Sequence, residues 1–137
     1  DEALVEWNPE VIIVADDEPD IRRMLCECLE SEGYTTREAH DGGEVLKLME
    51  QDLYDLVVLD IFMPINGLKA LEGIKLSHPK TKVVVLSAIT QYDENFKDVV
   101  IGKAAEAFLT KPPNLDHFLE TIEAVLHGRN APSYYRN

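Results

Sequence analysis

Three stretches decide how this chain folds: VIIVADDEP at residues 11–19, LVVLD at 56–60 and VVVLS at 83–87. Each opens as a near-continuous run of Val, Ile and Leu and closes on a polar side chain. Uninterrupted aliphatic runs of this length are the pattern of strands buried on both faces, as in a parallel sheet covered by helices. Two weaker stretches join them. AFL at 107–109 is a weaker fourth run. YTTREA at 34–39 interleaves β-branched and aromatic residues with polar ones, as an edge strand does.

Helical patterns lie between these strands. Pro19 suits a first helical position, and Ile21, Leu25, Cys28 and Leu29 then form an apolar stripe that stops before Gly33. Asp41-Gly-Gly-Glu44 has the form of a capping box ahead of Val45, Leu48 and Met49. Asn66 can cap a helix bearing Leu68, Leu71 and Ile74 that stops near Pro79. Phe96, Val99 and Val100 mark a short helix around 92–103. Asn114 caps a last helix whose core face is Leu115, Phe118, Leu119, Ile122, Val125 and Leu126, with Gly128 at its stop. Five β-α repeats with right-handed crossovers predict an α/β doubly wound sandwich. Residues 10–128 form the domain, with extensions at 1–9 and 129–137. Trp7 and the Tyr134-Tyr135 pair fall in those extensions.

The 137 residues suffice for one domain with a real core. The net charge is −13, and it is uneven: residues 1–60 hold 18 acids and 4 bases, residues 61–137 hold 8 acids and 9 bases. Such a chain lacks the clustered Lys and Arg that nucleic-acid phosphates or an anionic membrane require. Its apolar runs are too short to span a bilayer, and its start has no signal-peptide pattern. A chain opening on Asp1 is expected to be an excised or processed piece. Cys26 and Cys28 lie two apart on a predicted helix, on different faces, so no disulfide joins them and no zinc set is completed. Two free thiols point to a reducing compartment, and the expected location is the cytoplasm. His40, His78, His117 and His127 are scattered, and none reads as a metal or phosphotransfer group.

In open parallel sheets the functional crevice lies beyond the carboxyl ends of the strands. The first strand ends in Asp16-Asp17, then Glu18; the third ends in Asp60, the fourth in Ser87 and the fifth in Thr110-Lys111-Pro112. Taken singly, a strand-end Asp is an ordinary loop residue and Lys111 an ordinary surface lysine. Together they are different. If the first and third strands are neighbours, three carboxylates converge, and their repulsion calls for a cation. Oxygen-only ligands suit Mg2+ or Mn2+. Acids, a metal, a lysine and a small hydroxyl are what a transferred phosphoryl group needs.

VIIVADDEPD, DLVVLDIFMP and AFLTKPP, taken together over about residues 10–128, resemble the receiver domain of two-component response regulators. The resemblance implies a flavodoxin-like (βα)5 sandwich with a five-stranded parallel sheet in the order 2-1-3-4-5. It implies that Asp60 accepts a phosphoryl group from a histidine kinase or phosphotransfer protein. Asp17, Asp60 and the backbone carbonyl of Phe62 would ligate Mg2+ (or Mn2+), with Asp16 acting through metal-bound water. Lys111, the Ser87 hydroxyl and the Ala88 N–H would contact the phosphoryl oxygens. Phe108 takes the place of the aromatic switch residue, and the Lys111-Pro112 peptide would be cis. The output face would be residues 92–128. The implied partners are a cognate kinase, a downstream effector domain or protein, and a second copy in a phosphorylation-dependent homodimer, with no nucleic acid and no membrane.

The chain departs from the family pattern in places. DIFMPING has only Ile65 between Met-Pro and Asn-Gly, one residue fewer than usual. The stretch from Ser87 to Lys111 is about two residues longer than is common, and the Gly usual before the last strand is Ala104 here. Phe62 and Ile89 flank the site and are expected to restrict the water that hydrolyses an acyl phosphate. One alternative function is a small Mg2+-dependent phosphohydrolase with Asp60 as nucleophile. It needs an acidic residue two positions after the nucleophile, where this chain has Phe62. The other alternative, an inert docking pseudo-receiver, would not need the full set of acids, Ser and Lys.

Overall fold

A computed structural model describes residues 10–62, 67–88 and 104–128. Among them the elements follow one another as β1 (Val11–Ala15), α1 (Pro19–Ser31), β2 (Thr35–Ala39), α2 (Gly42–Gln51), β3 (Leu56–Asp60), α3 (Gly67–Ser77), β4 (Lys82–Ser87), β5 (Ala107–Thr110) and α4 (Leu115–His127). The strands make one parallel sheet in the order β2-β1-β3-β4-β5. This is the expected order, and the three aliphatic runs are its centre. The helix expected at 92–103, the cap at Asn66, and Ile89, Trp7, Tyr134 and Tyr135 lie outside the described residues.

Alternation along each central strand builds two cores. Ile13, Ala15, Val57, Leu59, Val83 and Val85 face one side, where Val45 and Met49 of α2 and Ala70, Leu71 and Ile74 of α3 cover them. Ile12, Val14, Leu56, Val58, Val84 and Leu86 face the other, against Leu25, Cys26 and Leu29 of α1 and Phe118 and Ile122 of α4. A strand buried on both faces leaves no position for a polar side chain, which is why the sequence there is nearly all aliphatic.

The helix ends follow the sequence closely. Pro19 opens α1. Asp41 accepts from Glu44 N, as a capping box predicts, while the Glu44 carboxylate accepts from the N–H of His40, one residue before the cap. Asn114 accepts from His117 N, and Gly128 ends α4 in the left-handed conformation at φ 61°. Two expected core positions differ. Leu115, in the first turn of α4, is exposed. On α1, Cys26 is the more buried thiol and Cys28 only half-buried, because the stripe faces both the sheet and α4; both thiols are free. No helix among the described residues is long and apolar enough to cross a membrane.

Candidate functional site

The sheet order reverses direction between β1 and β3, which pair directly. A crevice opens at such a switch point, beyond the carboxyl ends of the strands. Asp16 follows β1 there and Asp60 closes β3, and both carboxylates are buried. Asp17 and Glu18 continue the same turn on the exposed side. Asp16, Asp17, Glu18 and Asp60 each bring one carboxylate oxygen to within 4.8 Å of the others. The convergence expected from the sequence is therefore present, and Glu18 joins it.

Lys111, just past β5, points its ammonium into this group. Its Nζ lies 2.8 Å from Asp16 Oδ2, 2.9 Å from Glu18 Oε1 and 3.0 Å from Asp60 Oδ2. The side chain is only 9% exposed. Burial works to lower its pKa, but the three carboxylates raise it and prevail, so Lys111 is held charged. The Lys111-Pro112 peptide is cis, as the resemblance implied. The Lys111 N–H donates to the Ser87 carbonyl at 2.8 Å, which extends the β4–β5 ladder into the site. Ser87 itself is fully buried at the end of β4, opposite Thr110, and Ala88 after it is exposed.

The carboxylates are fixed by their own backbone. Asp16 Oδ1 accepts from Glu18 N at 2.9 Å, and Asp60 Oδ1 accepts from Phe62 N at 3.0 Å. Asp16 Oδ2 is buried, and its partner is the Lys111 ammonium at 2.8 Å. Burial pushes the Asp16 pKa up, the Lys111 charge and the Glu18 N–H pull it down, and the Asp60 charge adds to the rise; the net direction is up. Two buried carboxylates beside two exposed ones, with a single ammonium among them, are an all-oxygen donor set for a hard cation.

Phe62 stands at the mouth, 48% exposed. Phe108, opposite Val85 on β5, is half-buried and packs on the core beneath α2 and α3. Two residues here carried no role in the sequence reading: Glu18, now on Lys111, and Arg22, whose guanidinium reaches the Asp16 carbonyl at 2.7 Å. The available signal was spacing, since Arg22 lies one helical turn after Glu18 and so returns beneath the acidic turn.

Comparison with known proteins agrees with this geometry. The sequence model of the response regulator receiver domain matches residues 12–123. Protein PilH of Pseudomonas aeruginosa is 34% identical over 120 residues, covering 85% of this chain and 98% of PilH. Response regulator MprA of Mycobacterium ulcerans is 33% identical over 116 residues, covering 84% of this chain and 49% of MprA, so the chain spans about half the length of that relative. The crystal structure of response regulator protein TrrA from Thermotoga maritima, in complex with Mg(2+)-BeF, superposes with a TM-score of 0.75 at 36% identity, covering 85% of this chain and 99% of that one. A chain with this sheet order, these strand-end acids and these relatives belongs to the response regulator receiver domain family.

Proposed function

We propose that this receiver domain takes a phosphoryl group on Asp60 from a phosphohistidine of a histidine kinase or phosphotransfer protein. The observation that carries the reading is the pair Asp60 and Asp16, two buried carboxylates at the switch point, sharing the Lys111 ammonium below the exposed Asp17 and Glu18. An Asp60 oxygen attacks phosphorus in line with the leaving nitrogen. The P–N bond breaks, its electron pair stays on the imidazole, and an acyl phosphate forms.

The donor set fits a hard divalent cation, given its all-oxygen character and the excess of four carboxylates over one ammonium. Asp17, Asp60 and the Phe62 carbonyl would hold Mg2+ (or Mn2+), with Asp16 acting through water; bound there, the ion supplies positive charge against the phosphoryl oxygens. TrrA, crystallised with Mg(2+)-BeF, supports the choice of ion. Lys111 leaves its carboxylates to pair with the transferred group, and the Ser87 hydroxyl and Ala88 N–H donate to it. Those contacts exist only in the phosphorylated state, so they bias the fold toward a second arrangement in which Ser87 shifts and Phe108 turns inward. Residues 92–128 would then present the altered face to an effector domain, an effector protein or a second copy. The chain acts on its own Asp60 rather than on an external substrate, and works in the cytoplasm.

The test is incubation with Mg2+ and phosphoramidate or acetyl phosphate, followed by intact mass. One phosphoryl group is expected on the parent and none on Asp60→Asn. A folded parent that gains no adduct would overturn the assignment. Family membership disfavours the phosphohydrolase, which would instead turn over a phosphate monoester many times.

A further inference from the structure

The turn carrying Asp16, Asp17 and Glu18 is held from behind by Arg22. On α1, Arg22 donates its backbone N–H to the Glu18 carbonyl at 3.0 Å. Its Nη1 donates to the Asp16 carbonyl at 2.7 Å, and its Nε donates to Glu38 Oε1 at 2.7 Å. The Arg22 side chain is 16% exposed, so the guanidinium is largely shielded from water and its bonds are charge-assisted. Glu38 lies on β2 beside Ala39, whose carbonyl accepts the Asp16 N–H at 3.0 Å. Both peptide groups of Asp16 are thus tied down. The N–H is bound to β2 directly, and the carbonyl is bound to β2 through Arg22.

The Asp16 carbonyl belongs to the peptide that leads into Asp17. Fixing its plane sets where Asp17 starts and how its carboxylate stands toward Asp60. We infer that Arg22 is a positioning residue for the cation site, acting through the Asp16 carbonyl, with Glu38 as its anchor. The inference rests on the cation-binding reading above.

Two other roles for Arg22 give different signs. If the guanidinium acted only as a nearby positive charge, removing it would tighten Mg2+ binding, since like charges repel. If it served only to stabilise the fold, removing it would lower stability and leave Mg2+ affinity unchanged. Loss of a positioning group weakens the affinity, and for outer-shell partners of metal ligands such losses run from about tenfold to about a hundredfold.

The experiment is calorimetric titration of Mg2+ into the full chain and into Arg22→Met, Arg22→Lys, Glu38→Gln and Tyr34→Phe. Tyr34→Phe is the stability control, because it removes a bond from Tyr34 to Glu123 on α4. Arg22→Met is expected to weaken Mg2+ about tenfold. Arg22→Lys keeps the charge without the two-pronged reach, and Glu38→Gln keeps a polar acceptor without the charge, so both fall between parent and Arg22→Met. Tyr34→Phe binds Mg2+ as the parent does. In phosphorylation by phosphoramidate, the Mg2+ concentration for half-maximal rate rises in the Arg22 variants, and the rate at saturating Mg2+ is retained. Unchanged or tighter Mg2+ in folded Arg22→Met overturns the inference. Should Arg22→Met not fold, parent-like affinity in both Arg22→Lys and Glu38→Gln overturns it. A parent that binds no Mg2+ defeats the cation-site reading instead.

Discussion

Asp16 is the residue at which stability and function conflict. Its carboxylate is buried, and burial outweighs the pull of Lys111, so its pKa lies above the ordinary 3.8. A raised acid favours the fold in its protonated form. That contribution is fully present below pH 3.8 and is lost as pH climbs through the raised value. In metal-free buffer at neutral pH, Asp16→Asn, which leaves Lys111 paired with Glu18 and Asp60, is therefore expected to be more stable than the parent. Urea unfolding midpoints followed down in pH should converge below pH 3.8. Ala104 is a second residue under tension, at φ 77° in the region that suits glycine. Ala104→Gly is expected to stabilise the chain by about 1 kcal/mol in the same assay. At the mouth, half-exposed Phe62 should shield an acyl phosphate from water. Phe62→Asn is expected to shorten the lifetime of the phosphoprotein severalfold in a decay assay, and decay no faster than in the parent would remove that role.

Among the elements, α3 opens in close contact with the residue that follows β3. A side-chain carbon at Gly67 would lie 2.6 Å from the Ile61 Cα and 2.7 Å from its carbonyl carbon. These are backbone atoms, so no rotamer change relieves the clash, and Ile61 directly follows Asp60, the proposed acceptor. The chain returns from Ile61 to Gly67 in five residues, one fewer than the family pattern, and a glycine permits the approach. Gly67→Ala is expected to cost about 3 kcal/mol in chemical denaturation and to slow phosphoryl uptake, because α3 or the end of β3 must shift. The DIFMPING spacing marked this loop as unusual. The contact with Ile61 could not be read from it, since close approach depends on where α3 is packed by Ala70, Leu71 and Ile74.

For the whole molecule, the acidic first 60 residues take on a spatial meaning. Asp16, Asp17 and Glu18 on one turn and Asp60 on the next strand of the sheet form one cluster, and Lys111 from the far end of the chain offsets part of it. A cation completing that balance would bind the folded state alone. Mg2+ at about a hundredfold over its dissociation constant is expected to stabilise the chain by about 2.7 kcal/mol. Thermal unfolding with and without Mg2+ checks this, and Asp17→Asn should lose most of the shift.

The sequence by itself determined the five strands, the burial of the three central ones on two faces, the caps at Asp41 and Asn114 and the residues that end each strand. Each of these depends on periodicity or on a cap within a few residues, which local sequence records. It also held the strand-end Asp60 and Lys111, although neither carries weight until strand order is known. Tertiary structure alone decided that Glu18 shares Lys111, that Arg22 holds the Asp16 carbonyl against Glu38, that Leu115 faces water and that Cys26 is buried more deeply than Cys28. Those outcomes depend on distances between elements far apart along the chain. They are fixed by how the helices seat on the sheet, and no local pattern encodes that.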